Sequence, residues 1–148
     1  MAADRGSAAT FYAPLYQSAD MDFIIPLYAK GGGDVLEALG FANSGGLYTS
    51  AQTLCTVDFP PGPLAVGGDL ITNWETIVRE GRTLHVLSRG DVARDRLAAS
   101  YFWDDVRSRR VAADVCAGGP VDRELVRDWS SRETHATKFA GFLRLVGH

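Results

Sequence analysis

Three histidines, two cysteines and scattered carboxylates are the side chains of this 148-residue sequence to ask first about acid–base, nucleophilic or metal chemistry. His85 falls in a strand-like run, His135 in a loop and His148 at the end. No His-Glu-x-x-His, Cys-x-x-Cys or His-x-His spacing occurs, so no zinc site is expected. Cys55 with His85, or Cys116 with His135, can be drawn as nucleophile and base. Two cysteines and three histidines make such pairings inevitable, and isolated thiols commonly behave as small buried apolar groups. Lys30-Gly31-Gly32-Gly33-Asp34 lacks the Gly-Lys-Ser/Thr ending of a phosphate-binding loop and reads as a turn. Arg89-Gly90-Asp91 spells an integrin-ligand tripeptide, but reads as a strand-to-helix turn. The expectation is therefore a protein with no catalytic, cofactor-binding or metal residues, needing no cofactor.

One carboxylate cluster supplies an alternative of another class. Tyr101-Phe102-Trp103-Asp104-Asp105-Val106 resembles the Tyr-Trp-Asp segment of phage-type peptidoglycan hydrolases. Those enzymes also need an early catalytic Glu in a helix, and Glu80-Gly81-Arg82 reads as a hairpin. A glycosidase further needs two carboxyl groups about 5–10 Å apart, which sequence spacing does not establish.

Composition narrows the classes. A chain of 148 residues with 46% hydrophobic residues is large enough to bury a core without a metal or disulfide. The longest apolar run, Phe23 to Ala29, has seven residues and contains Pro26, far short of the about 20 that a spanning helix needs. The first residues lack a signal-peptide core, so synthesis in a cytoplasm is expected. Residues 1–74 hold two cations against seven acids, and residues 75–148 thirteen against eleven. Nearly every Arg has an acid close by in sequence, unlike the unopposed basic face of a nucleic-acid binder.

The elements that must position these groups read as an α+β fold: a β-rich single domain with an extended N-terminal arm and one or two helices in the C-terminal half. Residues 1–22 show no sustained period and read as the arm, with Phe11, Tyr12, Leu15 and Tyr16 as interaction anchors. The domain then spans 23–148. Phe23 to Tyr28 predicts an edge strand, Val35 to Ala42 a strand or short helix, and Leu47 to Phe59 a strand. Ser44-Gly45-Gly46 predicts a hairpin turn, and Leu70–Arg79 with Thr83–Leu87 a hairpin closed by Glu80-Gly81-Arg82. One helix is expected from about Ala93 through Arg107. A second follows Pro120, with Val121, Leu125 and Trp129 as its buried stripe. Leu143, Leu145 and their neighbours read as a final strand.

Four motifs in order resemble the head decoration, or capsid cement, proteins of lambda-like tailed bacteriophages. They are Gly33-Asp34-Val35-Leu36, Ser44-Gly45-Gly46-Leu47-Tyr48, Val86-Leu87-Ser88-Arg89-Gly90-Asp91-Val92 and Ala140-Gly141-Phe142-Leu143. The segment from Ala93 to Arg132 is longer than that family's connection. The resemblance implies a non-enzymatic virion structural protein that binds and stabilises a capsid, with a head–tail adaptor or tail component as the alternative. It implies as partners the major capsid protein or other virion subunits and further copies of itself, with no direct nucleic acid and no membrane.

Overall fold

The computed structural model describes residues 2–24 and 32–147, and side chains from Ser7 onward within them. Among these residues it is an α+β fold of six helices and nine strands. Seven strands form one mixed sheet: β1 (Ala2–Asp4), β2 (Asp20–Ile24), β3 (Ala42–Ser44), β4 (Leu47–Ser50), β5 (Thr53–Asp58), β8 (Glu75–Arg79) and β9 (Arg82–Val86). Their spatial order is β3-β4-β5-β2-β1-β9-β8. The remaining two, β6 (Ala65–Val66) and β7 (Asp69–Leu70), make a small separate hairpin.

The extended arm is overturned. Its first residues are β1, antiparallel to β2 and parallel to β9 near the middle of the sheet. Helix α1 (Arg5–Tyr12) follows at once, and Ala8, Ala9 and Ala13 are buried. Alanine's small side chain lets this helix lie close to its neighbours, which is why a segment with few large residues can still be core. The same cluster holds Val86 and Leu87 from the end of β9, Val92 and Ala93 from α3 (Arg89–Trp103), and Val111 and Val115 from α4 (Val106–Ala117).

Helices α5 (Arg123–Arg132) and α6 (Ala136–Val146) pack on the far side of α3 and α4 around Leu97, Tyr101, Ala112, Trp129, Phe139 and Phe142. The C-terminal half thus holds four helices where one or two were expected. The long helix expected through Arg107 breaks after Trp103. Asp104 takes a left-handed conformation (φ 52°), and Asp105 caps α4 by accepting from the Ser108 amide (3.1 Å) and hydroxyl (2.7 Å). Trp129 is fully buried, but its face is Val126, Trp129 and Ser130, while Leu125 is 46% exposed. The expected last strand is α6, whose Phe139 and Phe142 recur at helical spacing and are both buried.

Elsewhere the turns fall where glycine permits them. Ser44-Gly45-Gly46 joins β3 to β4, and Leu47–Phe59 folds back on itself as β4 and β5. Glu80 (φ 52°) and Gly81 (φ 71°) close β8 and β9 as a two-residue loop, one residue shorter than expected. Val35 to Ala42 divides between helix α2 (Gly32–Ala38) and the start of β3. Beyond Ile24, the expected edge strand to Tyr28 lies outside the described residues, as does His148.

Because β1 sits between β2 and β9, deleting residues 1–13 should abolish cooperative thermal unfolding followed by circular dichroism. A truncated protein that melts within about 3 °C of the full chain would contradict this placement.

Candidate functional site: an aromatic corner and the groove beside it

The most exposed large side chains next to a cavity lie where α3 turns into α4. Phe102 and Trp103 end α3 and Val106 opens α4; Trp103 is 74% and Val106 67% exposed. The Phe102 and Trp103 rings meet edge to face at 6.2 Å, and Phe102 makes a second T-shaped contact with His135 at 5.1 Å. Phe102 and Trp103 lie outside the buried Leu97, Ala98 and Tyr101 face of α3, and Val106 follows the Asp104-Asp105 turn. Asp104 is held by Lys138, whose Nζ also donates to the Tyr101 carbonyl at 2.6 Å.

A groove of about 390 Å³ runs from this corner along α3. Ala98 and Ala99 form its floor, Phe102 and Trp103 one end, and Asp95 and Arg96 the other. Arg96 donates to Asp95 through Nε (3.0 Å) and a terminal nitrogen (2.5 Å). The opposite wall is β6 and Gly67, and its position is set by charge. Asp69, just past the turn, accepts from Arg94 (2.8 Å) and from Arg132 (2.6 Å), tying the hairpin to α3 and α5. Arg94 is itself buried and also donates to Asp91, whose other oxygen accepts from the capping Ser88 hydroxyl at 2.6 Å. Gly67 has φ +57°, and a Cβ there would stand 2.5 Å from a Glu133 oxygen and 3.0 Å from Trp129 Nε1. A larger residue there would adopt a strained left-handed backbone and displace the Glu133 carboxylate.

Such a groove offers stacking and van der Waals surface with one ion pair at its end, and its size falls in the range of small binding sites. In the sequence, residues 98–103 show three adjacent aromatics, Tyr101, Phe102 and Trp103, on a helix, but no sign of a groove.

The residues singled out from sequence are dispersed. Of the four anchors, Tyr12 and Tyr16 brace the protein's own core. The Tyr12 hydroxyl donates to the Leu87 carbonyl (2.8 Å) beneath the Arg89 guanidinium, and the Tyr16 ring lies under Arg107. Phe11 and Leu15 are exposed, Leu15 almost completely at 99%. Cys55 and His85 stand on β5 and β9, at least three strand spacings or roughly 14 Å apart across the sheet and offset along it. Burial raises both thiols, with the Asp20 carboxylate adding to the effect at Cys55, which opposes thiolate formation. His85 bonds the Thr76 hydroxyl at 3.1 Å and packs on Trp74. Cys116 lines a small apolar hollow with Val121, Phe139 and Phe142, whereas His135 lies between the Tyr101 and Phe102 rings.

The carboxylates of the hydrolase alternative are occupied as helix ends. The hydrogen bond from Lys138, and then its charge, lower Asp104. The hydroxyl and amide of Ser108 lower Asp105. A general acid at neutral pH requires the opposite shift. Among the described residues no group of three or more His, Cys, Asp or Glu side chains could hold a metal ion, and no helix is long and apolar enough to cross a membrane. Comparison with protein-family models, with curated proteins and with solved structures finds no match.

Two outcomes test this electrostatic frame. Arg94→Met should cost about 3–5 kcal/mol in urea unfolding, because it leaves buried Asp91 uncompensated; a cost under about 1 kcal/mol would contradict the clamp. Asp105→Ala should cost about 1 kcal/mol at pH 7. Since the folded-state pKa of Asp105 is depressed, its contribution is complete above the unfolded value of about 3.9 and fades as pH falls through the lower folded value. The difference between the two proteins should therefore begin to shrink as pH falls below about 4 and close below the folded value, and a cost independent of pH would contradict a charged cap.

Proposed function

We propose that the protein is a non-enzymatic structural subunit of a virion, a decoration protein that seats on the major capsid protein through its aromatic corner. The observation that carries this reading is the exposure of Phe102 and Trp103 at one end of the α3 groove, with exposed Val106 opening the next helix. Clustered aromatic side chains beside a hollow, rimmed by charge, are the usual anchors of protein interfaces. Here the rim is Asp104, Lys138, Asp95 and Arg96.

The choice of a capsid as partner rests on the ordered motifs. Ser44 to Tyr48 lies in the β3–β4 hairpin, and Val86 to Val92 runs from the end of β9 into α3. Gly33 to Leu36 lies in helix α2, and Ala140 to Leu143 lies in helix α6 rather than a strand. The Ala93–Arg132 segment, longer than that family's connection, supplies the α3 side of the groove. Seating would therefore use a surface peculiar to this chain. Burying a Trp and a Phe contributes about 1.5–3 kcal/mol each before ordering costs.

Co-sedimentation with heads assembled from the major capsid protein of the same genome tests the proposal. Wild-type protein should bind, and Trp103→Ala should weaken binding at least about tenfold, or about 1.4 kcal/mol, with its melting temperature unchanged. Binding that survives both Trp103→Ala and Phe102→Ala, or cell-wall clearing in a turbidity assay, would contradict it.

A further inference from the structure

We propose that the outer edge of β8 is a self-association site, at which a second copy of this chain adds its own β8, antiparallel, about a twofold axis through Ile77. This gives the homo-oligomer expected from the sequence a defined surface. It draws on the capsid reading only for its purpose.

β8 ends the sheet, and no described strand pairs with its outer side. The opposite edge, β3, has only three residues, whereas β8 has five and leaves Val78 68% exposed. Short edges are poor templates for a further strand; longer ones are competent. The hairpin dictates which backbone groups are free. With a two-residue loop, Arg79 opposite Arg82 is a hydrogen-bonded pair, and so by alternation are Ile77 with Leu84 and Glu75 with Val86. The amide and carbonyl groups of Thr76 and Val78 therefore point away from β9.

An antiparallel second β8 must set outward residues opposite outward residues. The register centred on Ile77 does so, placing Thr76 against Val78 of the second copy and Val78 against its Thr76. It also sets Glu75 directly opposite Arg79 of the second copy, twice by symmetry. These are non-hydrogen-bonded positions, where facing side chains come closest. Shifting the register by two residues puts Glu75 opposite Ile77 or Gly81 and leaves both charges unmatched.

That pairing answers a local mismatch. Arg79 and Arg82 are like charges directly opposite each other, and no salt bridge among the described residues reaches either of them. The Glu75 carboxylate of the second copy supplies the missing counter-charge. On the same side of the sheet, Ile77 and Arg79 line a hollow of about 370 Å³ with half-exposed Phe11, so apolar surface lies beside the axis on both copies. An isologous contact of this kind closes at two copies.

Sedimentation equilibrium of the full chain, without capsids, tests the proposal. Wild-type protein should dimerise. Glu75→Arg and Arg79→Glu should each weaken the dimer at least about tenfold, and the double variant should restore it to within about threefold. In a Cys55→Ser, Cys116→Ala background, Ile77→Cys should form an intermolecular disulfide across the axis, because facing non-hydrogen-bonded positions meet disulfide geometry. A wild-type monomer at about 200 μM, single variants that dimerise like wild type, a double variant no better than the singles, or a folded Ile77→Cys protein that stays uncrosslinked would each overturn it. Trp103→Ala should still dimerise, so failure of the capsid reading and failure of this one give different results.

Discussion

Three backbone residues, Ala2 to Asp4, join the two parts of the sheet. On one side of them lie β2, β5, β4 and β3; on the other, β9 and β8. Without β1 these parts share no ladder, and β2 and β9 each expose an unpaired edge. Because α1 follows β1 directly, the same strand also places Ala8, Ala9 and Ala13 against β9, α3 and α4. Alanine packing leaves little room for adjustment, since a dense interior tolerates neither added bulk nor a gap. The start of the chain therefore sets how the helical layer sits on the sheet. An N-terminus committed in this way is not available to reach a neighbour, and association falls to surfaces of the folded body.

Acidic side chains do the corresponding work at the helix ends. Asp105 and Asp122 cap α4 and α5, Asp91 answers Ser88 at the start of α3, and Asp104 ends that helix in a left-handed turn. Asp69 draws Arg94 and Arg132 together and fixes the β6–β7 hairpin. Several of the arginines and acids that looked merely interspersed are thus structural pairs. The Asp104-Asp105 turn that breaks the helix separates exposed Phe102 and Trp103 from exposed Val106, so the proposed interface spans the break between α3 and α4.

How much of this was legible depended on whether the signal was local. The Ser44-Gly45-Gly46 and Glu80-Gly81 turns stand where glycine permits positive φ, and Trp129 is buried as expected although Leu125 of the same expected stripe is not. The α+β class came from the same local cues. The strand at Ala2–Asp4 was not legible, because three residues carry no period and their pairing partners lie about twenty and eighty positions away. The division of α3 from α4 was hidden by two aspartates that suit a helix surface as well as a cap. Phe139, Phe142 and Leu143 fit a strand as readily as a helix over so short a run, and Val121 with Leu125 drew the stripe one residue away from the true face. The groove escaped because Gly67 and Asp69 meet α3 only through tertiary packing.

Native-state hydrogen exchange at the N-terminus tests the claim on which the rest stands. If Ala2–Asp4 and α1 are built into the sheet and core, the amides of residues 3–12 that bond within them should exchange only through opening on the scale of global unfolding, like those of β9 and α3. Exchange of those amides at the rate of an unstructured peptide, while β9 and α3 remain protected, would contradict it and return these residues to the role of an arm.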